Sequence, residues 1–207
     1  MRSRRARRRA DVRPSDLEQY RGKPVDDLIG PDVRLLIVGI NPGLWTAAVN
    51  THFARPGNRF WPAMYRAGLL PRPVDASQGL PPDIVEPLHR SGVGITNVVN
   101  VATARADELT RDQLRAGGER LRELVRTLRP KVVAILGLTA YREAFGRRAA
   151  KAGLQPEPFE GAQLWVVPNP SGLNAHETVD SLAAAYHQVA VAAGVVPPRS
   201  EGNGPVE

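Results

Sequence analysis

The chain has 207 residues, 42% of them hydrophobic and 24% charged, which suits one soluble domain of ordinary size. No apolar run approaches the roughly 18 residues of a membrane span, and the absence of cysteine excludes disulfides, a catalytic thiol and thiolate-held zinc or iron–sulfur centres. The net charge of +7 is concentrated at one end: residues 1–13 carry seven arginines against Asp11, a balance of +6, which leaves +1 for the remainder.

That basic arm, MRSRRARRRADVR, has little to bury and repels itself, so disorder is expected over residues 1–13. It is either a salt-sensitive phosphate contact or a solubilising tail. No apolar stretch follows it, so an export signal is not expected. Residues 14–32 form a lead-in with one short helix over Ser15–Tyr20. VRLLIVGI (33–40) is a continuous β-branched run typical of a strand buried on both faces. It stops at Asn41-Pro42-Gly43, a turn cluster. A long loop is expected over 44–57 and a helix over Asn58–Leu69. Pro71, Pro73, Pro81 and Pro82 then mark an irregular connection.

A helix over Asp83–Ser91 precedes a strand within GVGITNVV. The next helix opens on a capping box, Thr110 with Gln113, carries Leu114, Leu121, Leu124, Val125 and Leu128 on one face, and stops at Pro130. KVVAILG (131–137) is a second buried strand, and a helix follows over Thr139–Ala152. QLWVVPNPSG supplies a third strand ending in a second turn cluster. A final helix over Glu177–Ala193 completes a single domain spanning 14–196, and residues 197–207 read as a disordered tail. Strands alternating with helices predict an α/β fold with a mainly parallel sheet. In such sheets ligands sit beyond the carboxyl ends of the strands, where both turn clusters lie, so one crevice lined by both is expected. The histidines (His52, His89, His176, His187) show no metal-ligand spacing, so neither metal nor cofactor is expected.

Alone, Asn-Pro-Gly after a strand is an ordinary turn, and so is NPSG. Taken together, GINPGLWTAAVNTHFARPGNRFW resembles the first motif of the mismatch-specific uracil-DNA and thymine-DNA glycosylases, and NPSGL resembles their second. GVGITNVVN, AGGERLRELVRTLRPKVVAILG and AYREAF match between them in order, so the likeness covers about residues 33–190. It implies a three-layer α/β/α fold of the uracil-DNA glycosylase type. It also implies a base-excision repair enzyme that flips uracil, or a related deaminated or ethenated base with thymine as a further candidate, from a mismatch with guanine. The bond to the sugar would be hydrolysed to leave an abasic site.

The resemblance further implies roles by position. Asn41 holds the attacking water. Gly39, Ile40, Pro42 and Gly43 line the base pocket with Phe53, whose ring stacks on the base, and with Asn97. Leu173 enters the duplex as a wedge, Gly172 lets the backbone approach the orphaned guanine, and Ser171 donates to a phosphate. Asn169, His176, Arg55 and Arg59 are candidate phosphate or strand contacts, with a surface-charge reading equally open for Arg55 and Arg59. Read from composition alone, Phe53 also suits a core position and Leu173 the start of the last helix. Some relatives have a basic residue where this chain has Ala175, next to His176, and some have lysine where Asn97 stands. Lys23, Lys131 and Lys151 belong to no motif, so hydrolysis without a lyase step is expected. The expected partner is duplex DNA carrying U·G or a related mismatch, met by a cytoplasmic, nucleoid-associated monomer. The alternative is a catalytically inactive damage binder on the same fold. A nucleotide-binding α/β protein is disfavoured because neither GxxxxGK[ST] nor GxGxxG follows the first strand.

Overall fold

The structure, a computed structural model, describes residues 12–198; most of the expected arm (1–11) and of the expected tail (199–207) lies outside the described residues. A 3-10 helix over Pro14–Tyr20 opens it, followed by β1 (Leu35–Gly39), α1 (Leu44–Val49), α2 (Phe60–Arg66), α3 (Pro82–Ser91) and β2 (Val93–Asn97). Then come α4 (Arg111–Leu128), β3 (Val132–Leu136), α5 (Leu138–Phe145), β4 (Gly153–Leu154), β5 (Gln163–Val167) and α6 (Val179–Ala192). The sheet order is β2-β1-β3-β5-β4. The first four of these strands run parallel, and β4 pairs antiparallel with β5.

Alternation along the strands divides the core in two. Leu35 and Ile37 of β1, Val93 and Ile95 of β2, and Val132 and Ala134 of β3 face one side, where Phe60, Met64, Ile84, Leu88, Leu182 and Tyr186 cover them. Leu36, Val38, Val133 and Ile135 face the other, against Leu114, Leu121, Val125, Tyr141 and Ala144. Helices on both faces of a central, mainly parallel sheet give the expected three layers.

The capping box of α4 forms as read: Thr110 Oγ1 accepts from Gln113 N–H at 3.1 Å, and Gln113 Oε1 accepts from Thr110 N–H at 2.9 Å. Its Gly117-Gly118 pair, unfavourable inside a helix, lets the helix approach the sheet; a Cβ on Gly117 would lie 2.4 Å from the Val98 carbonyl oxygen.

Three features depart most from expectation. The segment expected as loop over 44–57 begins with α1, because Leu44, Thr46, Ala47 and Val49 find a buried face there, and Asn50 ends it in the left-handed conformation at φ 49°. The helix expected to reach Ala152 stops at Phe145, where Gly146 supplies a left-handed cap at φ 66°. Beyond it lies β4, a two-residue edge strand that was not expected. At the opposite edge, Leu28 forms an isolated antiparallel bridge to Ile95 of β2. No helix among the described residues is long and apolar enough to cross a membrane.

Candidate active site

The chain reverses its winding direction around β1: the connection to β2 runs one way, and that from β2 to β3 passes back over β1. The crevice expected at such a switch lies beyond the carboxyl ends of β1 and β3. β1 delivers Gly39, Ile40 and Asn41 to that rim. Asn41 is half-buried. Its amide nitrogen donates to Thr103 Oγ1 at 2.7 Å, to the Val101 carbonyl at 3.0 Å and, more distantly, to the Pro42 carbonyl at 3.2 Å. Thr103 Oγ1 donates in turn to the Arg105 carbonyl at 2.7 Å, so it meets Asn41 as an acceptor. These bonds fix the amide plane through nitrogen, and none of them uses Oδ1. An oriented carbonyl oxygen can hold a water molecule without taking its proton outright.

Gly39 marks the second part of the site. The space a Cβ would occupy there is bounded by Asn97 Oδ1 at 2.4 Å and by the Phe53 ring, Cζ at 3.0 Å. Only glycine lets these two side chains converge on the end of β1. Phe53 is half-buried, lies at a left-handed φ of 56°, and stacks on Phe60 with ring centroids 4.0 Å apart. Phe60 and Trp61 are core residues. Pro42 is buried and Gly43 caps α1.

Asn97, 2% exposed, donates from its amide nitrogen to His52 Nδ1 at 3.3 Å. His52 is held on two further sides, Nε2 against the Asp26 carbonyl at 3.1 Å and its own carbonyl accepting from Trp61 Nε1 at 2.9 Å. Burial pushes the His52 imidazole below the usual histidine range, against the opposing pull of Asp27 and Asp26. Arg120, reaching from α4, donates to the Asn97 carbonyl and pairs with Asp27 at 3.7 Å.

Gly137, at the end of β3, joins the two motifs. With φ 125° it adopts a backbone that favours glycine, and a Cβ there would lie 3.3 Å from Ile40 Cδ1 and 3.7 Å from Asn169 Nδ2. The first motif and the NPSG loop therefore meet above one strand. Within that loop Asn169 Oδ1 accepts from Ser171 N–H at 2.9 Å, and Asn174 N–H donates to the Ser171 carbonyl at 2.9 Å. Leu173 projects at the tip, 80% exposed. Gly172 packs on the Gly57 carbonyl, 2.9 Å from where its Cβ would be.

Arg59 sits elsewhere than at an outward phosphate rim. Its guanidinium donates to the carbonyls of Ser171 and Glu177, and to that of Asn174 at 2.7 Å, while its N–H donates to the Pro170 carbonyl at 3.1 Å. A half-buried arginine thus holds the loop that carries Leu173. Arg55 and His176 are exposed. Trp45 turns its indole N–H to the Ser77 carbonyl at 2.9 Å and packs on the core. Asp107 and Glu108 occupy a 3-10 turn, paired with Arg105 and Arg21 respectively. A cavity of about 640 Å³ between α5 and β5, lined by Arg122, Tyr141, Phe145 and Phe159, includes no residue of either motif. Among the described residues no group of three or more His, Asp or Glu side chains could hold a metal ion.

Residues 27–190 match the family model described as the uracil DNA glycosylase superfamily. The chain belongs to that superfamily. Its fold is similar to the solution NMR structure of a candidate uracil DNA glycosylase from Methanosarcina acetivorans: TM-score 0.53, 14% identity, covering 81% of this chain and 98% of that one. In this member of the uracil DNA glycosylase superfamily, His52, Thr103, Arg120 and Gly137 are the residues around the two motifs that sequence reasoning missed. His52 and Thr103 are buried polar groups separated in sequence from their partners, and only the fold brings them together. The available signal was the Thr-His pair directly before Phe53.

Proposed function

We propose that this protein is a monofunctional DNA glycosylase that removes uracil, or a related deaminated base, from a mismatch with guanine. The observation that carries the reading is the Asn41 amide, clamped through its nitrogen by Val101 and Thr103, on the same rim as an exposed leucine held by the NPSG loop.

The chemistry follows from these groups. Base departure is easiest through an oxocarbenium-like sugar with the base leaving as an anion. Asn41 Oδ1 accepts one hydrogen bond from a water and aims its oxygen at the sugar carbon; an amide takes no full proton, so that proton ends on the departing base or in solvent. Backbone N–H groups of the turn around Ile40 are preorganised donors for the developing negative charge. Such a site favours bases that leave well, uracil and its electron-poor relatives foremost. Phe53 offers a stacking surface worth on the order of 1–3 kcal/mol per base. Leu173 is a wedge for the space the extruded nucleotide leaves. No lysine belongs to either motif, which supports hydrolysis without strand cleavage.

The test is incubation with duplexes holding U·G, T·G, U·A or ethenocytosine·G pairs, followed by alkali. Strand scission at uracil opposite guanine is expected. Asn41→Ala should cut single-turnover excision by at least about 100-fold while mismatch binding persists. Absence of alkali-labile sites on all four duplexes refutes the enzyme reading.

A further inference from the structure

We propose that the cavity between α5 and β5 is a docking site for an acidic peptide segment of a partner protein, one that carries an aromatic anchor beside its carboxylates. No residue of either motif lines it, so the proposal is independent of the excision reading above.

The recess has an aromatic floor. The Tyr141 and Phe145 ring centroids lie 5.3 Å apart, and Phe145 meets Phe159 edge-on at 5.3 Å. Arg122 sits over Phe159, 4.9 Å from the ring centre, and its charge is neutralised there by Glu160 at 2.9 Å. At about 640 Å³ the space has the size of a ligand pocket and holds an aromatic side chain with its neighbours.

One polar group on this floor lacks a partner. Tyr141 is 5% exposed, and among the described residues no hydrogen bond reaches its hydroxyl. The charges that act on that hydroxyl belong to Arg147, Glu157 and Arg122, all of which line the cavity. The hydroxyl therefore faces the recess. A buried hydroxyl costs free energy until it is hydrogen-bonded, and a peptide carbonyl or carboxylate supplies the acceptor.

The mouth is basic. Arg147, Arg148 and Lys151 border it against one acid, Glu157, and Arg147 is paired with that acid. Arg148 and Lys151 are exposed and join no ion pair among the described residues. Two unpaired cations around an apolar recess complement carboxylates placed next to a ring. Beside them Leu154 is 55% exposed, one of three large exposed hydrophobic side chains among the described residues, with Tyr65 and Leu173. An apolar lip that continues an apolar recess asks for more contact than a small free anion provides, which favours a chain as the occupant. A nucleic acid fits less well. Its phosphates follow one another at fixed spacing past the exposed Glu157, whereas a peptide sets its acids only where the cations stand. α5 starts at the carboxyl end of β3 and spans about 12 Å, so the basic segment 146–151 follows its far end and leaves the motif rim open to a duplex.

Fluorescence anisotropy tests this on the full chain, with a labelled, amidated peptide of three aspartates followed by phenylalanine and glycine. A Kd below about 100 µM is expected at low salt. Exchanging the phenylalanine for glycine, or the aspartates for serine, should each weaken binding by at least about tenfold. Arg148→Glu with Lys151→Glu should do the same at an unchanged melting temperature, since both side chains are exposed. Tyr141→Phe keeps the ring and should weaken binding by about tenfold, the worth of one hydrogen bond. A merely charged surface would respond to the lysine and arginine reversals but not to Tyr141→Phe, and that result overturns the recessed site. Absence of binding up to about 1 mM peptide overturns the proposal outright. So does tighter, Tyr141-dependent binding of single-stranded oligothymidylate, which would give the cavity to nucleic acid.

Discussion

Replacing Arg59 should loosen the leucine-bearing loop while sparing the core. The guanidinium donates to three loop carbonyls, those of Ser171, Asn174 and Glu177. A hydrogen bond from a charged donor contributes about 1.5–3 kcal/mol when its acceptor is buried. Here the residues are half-exposed, and freed carbonyls regain water. Taking about 1 kcal/mol net for each bond, Arg59→Gln gives up about 3 kcal/mol, or somewhat more than 100-fold in the population of the ordered loop. The loss is local, because α2 and α6 remain joined through Phe60, Met64, Leu182 and Tyr186. Native-state hydrogen exchange checks this. The Asn174 amide, bonded to the Ser171 carbonyl at 2.9 Å, should lose protection by about 100-fold, while amides of β1 and β3 keep theirs. Uracil excision from a mismatched duplex should fall with it. Arg55→Gln, on an exposed neighbour, is the control and should change neither. Unaltered protection at Asn174 in Arg59→Gln would refute the account of the arginine as the loop's anchor.

Three further outcomes are expected. Leu173→Ala should leave the melting temperature within experimental scatter, since the side chain is 80% exposed, yet weaken binding to a U·G duplex more than to an ordinary one in competitive titration. Gly117→Ala should lower stability by about 1–3 kcal/mol in a urea titration, despite alanine's better helix propensity, because the new Cβ would meet the Val98 carbonyl oxygen at 2.4 Å. Burial depresses the His52 imidazole while Asp27 and Asp26 oppose, Asp27 itself paired with Arg120. The unfolded chain takes up that proton first as pH falls through the ordinary value of about 6.5, so stability declines toward acid, by at most about 1.4 kcal/mol per pH unit. In thermal melts between pH 7 and 5, His52→Phe should show a shallower decline than the wild-type chain.

The layers were legible because strands buried on both faces are written as unbroken β-branched runs, and α4 announces its start with Thr110 and Gln113. The positions of Asn41 and Leu173 at strand ends could be read for the same reason. Less visible were features whose cause lies across the fold. α1 forms because Leu44 and Ala47 gain a buried face against Val25 and Ala102, a contact no local pattern records. Arg59 reads in sequence as a phosphate contact or a surface charge, and its destination is a loop more than a hundred residues onward. The His52–Asn97 pair depends on a segment before β1 presenting the Asp26 carbonyl, and neither residue announces the other.

Both margins of the sheet are blunted. On one, β4 contributes only two residues against β5; on the other, Leu28 ties the lead-in across β2. Unpaired strand borders are templates for joining a neighbouring chain. With so short a border on one flank and a bridging segment on the other, crowded copies find little strand backbone to zip together.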